Sequence, residues 1–304
     1  MAKPWLAVVL ANNLPRAGKS AGVQLKLGGF VGSVARLAWA KDNGCRWECD
    51  YVTCALIATG GHLEVLKLAR AHDCPWNEDV CTRAAEGGHL EVLQWVREQG
   101  CEWNAKTCTA AAQGGHLEVL QWARKHGCEW DEETCNEAAY GGHLSVLRWA
   151  REQDCPWGVN TCEAAGEGGH LEVLQWVREQ GCEWDAMTCT LAAAGGHMAV
   201  LQWARAHDCQ WGVKTCWMAA EGGHLQVLKW AREHYCPWDA DTCAYATAGG
   251  HLAVLRWARE HGCPWDKWAC IFAAESGHLE VLQWAVEHGR GLHSSTFQLN
   301  LSRS

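Results

Sequence analysis

Apolar and polar positions follow one 27-residue pattern that recurs along most of the chain. One copy, starting at Trp103, is W-N-A-K-T-C-T-A-A-A-Q-G-G-H-L-E-V-L-Q-W-A-R-K-H-G-C-E. The stretch from His116 to about His126 predicts a helix with one polar stripe: Glu118, Gln121 and Arg124. The rest of its circumference is apolar: Leu117, Val119, Leu120, Trp122 and Ala123. Because a helix that is apolar on two sides needs neighbours on two sides, the pattern predicts stacked helices.

A shorter first helix is predicted before each of these second helices. The residue after the loop tryptophan is of a type that caps helix N-termini: Asn77, Asn104, Asp131, Gly158, Asp185, Gly212, Asp239 and Asp266. The first helix carries small pairs such as Ala111–Ala112 and ends at Gly114–Gly115, which permit a tight reversal. We therefore predict an all-α fold, an α-solenoid of stacked antiparallel helix pairs.

Histidines, tryptophans and cysteines keep the same period. Nine histidines lie 27 residues apart: His62, His89, His116, His143, His170, His197, His224, His251 and His278. Two tryptophan series run from Trp76 to Trp265 and from Trp95 to Trp284, and two cysteine series run from Cys54 to Cys270 and from Cys74 to Cys263. A fixed period of this length indicates a repeat array, and the lack of strand-like alternation disfavours propellers and β-helices.

One segment of the repeat points to a known family. Residues Ala111–Leu120, A-A-Q-G-G-H-L-E-V-L, resemble the Ala-Ala-x-x-Gly-His-x-Glu-Val-Val segment of the ankyrin repeat. The resemblance covers roughly residues 31–289, as one degenerate leading copy and nine 27-residue units. We expect residues 1–30 to be an N-terminal segment, degenerate or disordered, and residues 290–304 to be a flexible tail.

The chain departs from the ankyrin pattern in two ways. The usual Thr-Pro-Leu-His start of the first helix is absent, and Thr107-Cys108 stands in that region, with Cys108 at the buried Leu position. The unit is also shorter than the usual ~33 residues. The resemblance therefore implies β-hairpin fingers truncated to a short loop, as in the Trp- and Cys-rich ankyrin arrays of some algae, amoebae and large viruses. It also implies that each repeated histidine fixes its turn by hydrogen bonding to neighbouring backbone.

Composition limits the partners and the compartment. The 304 residues carry a formal net charge of −9, which disfavours nucleic acid as a partner because phosphate binding requires a basic surface. No apolar run reaches the ~18–20 residues of a membrane span, so no membrane association is expected. The 19 cysteines cannot all be paired, and Trp5–Ala11 is a poor secretory leader. We expect a monomer in a reducing intracellular compartment, the cytoplasm or the nucleus.

The repeated tryptophans and cysteines are expected to pack between consecutive repeats. The alternative for the indoles is a stacking platform for single-stranded nucleic acid, which needs adjacent basic residues, whereas the loops carry acids such as Asp131 and Glu132. The two thiols of each loop lie seven residues apart, as in Cys101 and Cys108. Zinc knuckles are closer, and Cys45-x3-Cys49 is the one near miss. Packing is expected for the thiols, with redox sensing and metal binding as alternatives.

No catalytic constellation is apparent in the sequence. The string Arg16–Ser20 ends in Gly-Lys-Ser, but Leu14 stands where a phosphate-binding loop has its first glycine. Nine histidines with equivalent surroundings suit a structural role better than catalysis, which needs one specific partner. We expect a non-enzymatic protein with no cofactor and no metal.

Partner binding is expected at positions that vary between repeats, because the invariant positions build the array. Two residues before, two after and five after the first-helix cysteine form one face. In the C-terminal half this face is apolar and aromatic, and Trp217, directly after Cys216, adds to it. This predicts a protein-binding site: Met187, Leu191, Trp217, Met218, Tyr245, Trp268 and Phe272. Glu221 and Glu275 at its rim favour a partner segment with Lys or Arg. The function alternatives are a substrate-presenting adaptor for a modification machinery and a thiol-based redox or metal sensor.

Overall fold

The computed structural model describes residues 25–26, 47–48 and 50–288. Within these ranges the chain forms eighteen α-helices and two strands of two residues each. Contacts divide the chain into two compact units, residues 1–103 and 104–304. Several sequence predictions lie outside the described residues: the leader-like Trp5–Ala11, the string Arg16–Ser20, the Cys45 and Cys49 pair, and the tail 290–304. No helix in the described ranges has the length and apolarity needed to cross a bilayer.

The first unit contains both strands and two helix pairs. Strand β1 (Leu25–Lys26) pairs in parallel with β2 (Trp47–Glu48), a short pairing that the sequence analysis did not predict. The first pair is α1 (Tyr51–Thr59) and α2 (Leu63–Arg70), and the second is α3 (Asp79–Glu86) and α4 (Leu90–Glu98). Each helix packs against the other member of its pair, and the first helices α1 and α3 pack against each other.

The second unit contains seven helix pairs, each related to the last by the 27-residue period. The first helices are α5 (Ala105–Gln113), α7 (Glu132–Tyr140), α9 (Val159–Gly168), α11 (Ala186–Ala194), α13 (Val213–Glu221), α15 (Ala240–Ala248) and α17 (Lys267–Glu275). The second helices are α6 (Leu117–Lys125), α8 (Leu144–Glu152), α10 (Leu171–Glu179), α12 (Met198–Ala206), α14 (Leu225–Glu233), α16 (Leu252–Glu260) and α18 (Leu279–His288). Consecutive first helices pack side by side, so the predicted all-α, solenoid-like stacking of helix pairs is confirmed.

Local sequence sets where the first helices begin. The side chain of Asp131 accepts a hydrogen bond from the backbone N–H of Glu133 at 3.1 Å, and Asn104, Asp185, Asp239 and Asp266 cap their helices in the same way. Gly158 has no side chain to offer; its own N–H donates to Thr161 Oγ1 at 3.4 Å. The predicted capping positions are therefore confirmed in the second unit, where the hydroxyl of Thr161 accepts from the N-cap glycine. In the first unit the prediction is off by one residue: Glu78 is the N-cap of α3, although Asn77 still accepts a hydrogen bond from the N–H of Asp79 at 3.3 Å.

The core consists of small first-helix residues against branched second-helix residues. In one repeat, Cys108 and Ala111 of α5 and Leu120 and Ala123 of α6 are each 0% exposed. Burying one such leucine contributes about 1.5–3 kcal/mol, so each repeated leucine contributes substantially to the stability of its layer. The predicted polar stripe also holds for Glu118 and Gln121, which are exposed on the outside of α6.

Candidate interaction face

The repeated histidines connect one repeat to the one before it. His143 Nε2 lies 2.8 Å from the carbonyl oxygen of Gln113, at the end of the preceding first helix. The same link, thirty residues long, recurs in both units: His89 to Thr59, His197 to Glu167, His224 to Ala194 and His278 to Ala248. A helix leaves its last carbonyls without intrahelical donors, and these rings supply a donor from the next repeat. The hydrogen bond to backbone that the resemblance implied is present, and its acceptor belongs to the preceding repeat.

The tryptophans differ from the sequence expectation. We expected both indole series to be buried between repeats, but they are half-buried at the surface. Trp130 and Trp149 meet edge to face, with ring centroids 5.6 Å apart. The guanidinium carbon of Arg124 lies 4.1 Å above the Trp130 ring, and Arg124 also donates a hydrogen bond to the carbonyl of Cys128. The indole stays at the surface because the arginine that stacks on it keeps contact with water.

Arg124 and its equivalents in the other repeats correct the expectation that the loop tryptophans have no basic neighbour. The loops themselves carry acids, but the second helix supplies a cation six residues before each loop tryptophan, from Arg70 over Trp76 to Arg259 over Trp265. A basic neighbour is therefore present, but it occupies the ring face on which a nucleic-acid base would have to stack. On the same side of the second unit, Lys229, Arg232, Trp238 and Trp257 line a cavity of about 490 Å³. Its indoles already stack on Arg232 and on His261.

The cysteines are buried, as expected. The first-helix Cys162 lies beside Cys182, twenty residues later, and its thiol donates to the Cys182 carbonyl at 3.9 Å. In the first unit, Cys54 Sγ lies 3.2 Å from Cys74 Sγ. The hydrogen bond between the thiols and burial raise the pKa of Cys162, whereas accepting that bond lowers the pKa of Cys182. Among the described residues, no group of three or more His, Cys, Asp or Glu side chains could hold a metal ion.

The variable positions of α7, α9 and α11 line a concave surface that we call the acidic groove. Its cavity has a volume of about 210 Å³ and is lined chiefly by Glu133, Glu137, Tyr140, Glu163, Glu167 and Leu191. All but Glu163 occupy the three positions around the first-helix cysteine that define the predicted face; Glu163 directly follows Cys162. Tyr140 is 44% exposed, so part of its ring is open to a partner.

The carboxylates of the acidic groove lack compensating charge. Burial raises the pKa of Glu137, and the neighbouring Glu133 and Glu167 raise it further. Burial likewise raises the pKa of Glu163, followed by the charge of Asp185. The Oε2 atom of Glu137 is buried and has no hydrogen-bond partner among the described residues. The ion pairs found in the described ranges, Lys67–Glu64 and Arg83–Glu86, involve none of the groove residues.

The predicted binding residues lie on the first helices α11 to α17, as two contacting pairs and three further residues. Trp217 stacks on Tyr245, with centroids 5.6 Å apart, and its Nε1 donates to Asp239 Oδ1 at 2.6 Å. Trp268 contacts Phe272 at 5.9 Å and is 45% exposed, whereas the other predicted residues are half-buried. Leu191 lines the acidic groove. We call the remaining C-terminal residues the aromatic patch: Trp217, Met218, Tyr245, Trp268 and Phe272.

Sequence reasoning missed the acidic groove because it followed aromatic character along the face. The signal was present: the variable positions that identify Glu133, Glu137 and Tyr140 on one helix also identify Glu167 on the next. Comparison with known proteins adds no further lead. No protein-family model matches the chain. No curated protein matches it either.

Proposed function

We propose that this chain is a non-enzymatic, ankyrin-like interaction scaffold that binds a partner protein on the first-helix face of residues 104–304. The observation that carries the proposal is that repeated positions make contacts within the array, whereas variable positions line its surface. Repeated side chains are used inside the array, as in the His143 link to Gln113 and the Arg124 stack on Trp130. Positions that vary line the acidic groove and the aromatic patch. Variable side chains on a shared face are what repeat arrays use for recognition.

Two properties of the described residues support an intracellular scaffold. Sixteen of the described cysteines, from Cys54 to Cys270, are free and buried in the helix pairs, which suits a reducing compartment, whereas Cys74 is disulfide-bonded. Trp268 and Tyr140 leave large aromatic surface exposed on the first-helix face, and aromatic side chains dominate the binding energy of protein interfaces.

Site-specific crosslinking tests the proposal. A photoreactive amino acid replaces Met218 on α13 in one sample and Gln226, which is exposed on α14, in the other. We expect a discrete crosslinked partner from native cells with the Met218 probe and none with the Gln226 probe. The triple substitution Met218→Ser, Tyr245→Ser and Phe272→Ser should abolish capture while leaving helix content unchanged. Equal crosslinking at both positions, or capture unchanged by the triple substitution, would contradict the proposal.

A further inference from the structure

We infer that the acidic groove receives a lysine or arginine side chain from a basic segment of the partner. This inference rests on the proposed scaffold function and specifies the chemistry of its partner. It places the recognition of charge on α7, α9 and α11, away from the aromatic patch on which the sequence analysis centred.

Charge complementarity is the first support. Four carboxylates, Glu133, Glu137, Glu163 and Glu167, line one cavity, and none of them forms an ion pair within the described ranges. Burial raises the pKa values of Glu137 and Glu163, and neighbouring carboxylates raise them further: Glu133 and Glu167 for Glu137, and Asp185 and then Glu167 for Glu163. A cation that enters the cavity removes this repulsion and favours the ionised carboxylates.

An unsatisfied buried acceptor is the second support. Glu137 Oε2 has almost no contact with solvent and no donor within reach, although most buried polar atoms in folded proteins have a partner. An ammonium or guanidinium group that enters the cavity can donate an N–H to the Glu137 carboxylate and also carries the compensating charge. The groove thus lacks both a charge and a donor, and a basic side chain supplies both.

The size and the walls of the cavity also fit one side chain of a peptide. Its 210 Å³ lies below the ~300–1,000 Å³ typical of sites for drug-sized ligands. The Tyr140 ring can stack with a cation, and Leu191 offers an apolar surface for the methylene stem of Lys or Arg. A bare metal ion fits less well, because no group of three candidate ligands in the described ranges could hold one.

Peptide binding to the full chain tests the inference. Fluorescence anisotropy compares a labelled Lys-Gly-Lys-Gly-Lys peptide and its arginine analogue with the same peptide carrying norleucine. The groove variant is the double substitution Glu137→Gln and Glu163→Gln. The control variant is Glu118→Gln and Glu172→Gln, which removes the same charge from exposed positions on the second helices α6 and α10. We expect both basic peptides to bind, the norleucine peptide not to bind, and the groove variant alone to weaken binding at least tenfold.

Equal weakening in both double variants, or no binding of either basic peptide at low salt, would overturn the inference. Thermal unfolding of each variant verifies that glutamine has not disrupted the fold. The crosslinking experiment separates this inference from the function on which it rests. If the Met218 probe captures a partner as strongly in the groove variant as in the native chain, the scaffold function is supported and the inferred basic segment is contradicted. If the Met218 and Gln226 probes crosslink equally in the native chain, the scaffold function itself is contradicted.

Discussion

His143 Nε2 lies 2.8 Å from the carbonyl oxygen of Gln113, so one imidazole joins the start of a second helix to the end of the preceding first helix. Replacing His143 with Ala removes the donor and the link between the two repeats, although water can reach the exposed carbonyl of Gln113. We expect the free energy of unfolding to fall by about 1 kcal/mol, the net contribution of a typical hydrogen bond. Urea unfolding followed by circular dichroism measures the change.

The matched control is His126→Ala. His126 Nδ1 lies 2.7 Å from the carbonyl of Trp122, in its own helix, and the side chain is exposed. Because this bond does not join two repeats and water can replace it, we expect a change near the ~0.5 kcal/mol typical of surface substitutions. A loss as large as that of His143→Ala would mean that the inter-repeat bond is not what matters.

Substitutions at two glycines with the same backbone conformation can distinguish the cost of backbone strain from the cost of a steric clash. Gly142 and Gly127 both have positive φ, +76° and +82°. A Cβ on Gly142 would lie 2.5 Å from His170 Nδ1, whereas a Cβ on Gly127 would meet nothing within 4 Å. Gly127→Ala should lose about 1–2 kcal/mol from the left-handed conformation alone. Gly142→Ala should lose more in the same urea titration, because His170 must also move; equal losses would contradict this.

Arg151 should matter more than Arg148, although both lie on α8. The guanidinium carbon of Arg151 lies 4.3 Å from the Trp157 ring, and Arg151 donates to the Cys155 carbonyl at 2.5 Å. Arg148 is exposed and 5.8 Å from the Trp176 ring. We expect Arg151→Ala to destabilise the chain by about 1–3 kcal/mol. Arg148→Ala removes the same charge and should change stability by less than ~0.5 kcal/mol.

The raised pKa of Glu137 makes stability depend on pH in a definite direction. Burial and the neighbouring carboxylates favour the protonated form in the folded state, so this contribution to stability is present below the unfolded pKa of ~4.3 and lost as pH rises through the higher folded pKa. Glu137→Gln should therefore be more stable than the native chain at pH 7 and lose that advantage below about pH 4. Thermal melts from pH 3.5 to 7.5 test this, with Glu118→Gln as the control for charge.

Thiol reactivity distinguishes a scaffold from a thiol-based sensor. The described free cysteines are 0–3% exposed except for Cys270, at 9%, and burial also raises the pKa of Cys270. We expect a thiol reagent to react slowly with the folded chain, with Cys270 the first of these cysteines to react. Cys270→Ser should remove that phase. Rapid labelling of many of them without denaturant would favour the sensor.

Local features explain how much of the fold could be predicted from the sequence. The capping side chain of Asp131 and the polar stripe at Glu118 act within a few residues, so the helices they define were predicted nearly to the residue. The contact between Cys162 and Cys182 was not predicted, because a periodic sequence offers cysteine neighbours at seven and at twenty residues equally.

The acidic groove was missed for a related reason. Each of its carboxylates looks like an ordinary solvated residue on one helix, and the cavity exists only where three first helices lie side by side. Burial of Glu137 Oε2 depends on that packing and has no local sequence signal.

Fixed offsets between donor and acceptor also bear on how such a gene can change. Within residues 104–288, His143, His197, His224 and His278 reach back thirty positions, and the arginine near the end of each second helix reaches forward six to its indole, as Arg124 does to Trp130. An in-frame tandem duplication of 27 codons in this stretch would give the added histidine and arginine the same neighbours as before, so recombination can lengthen the protein in whole steps. An insertion of 26 or 28 codons would instead set the imidazoles that follow it against the wrong carbonyls.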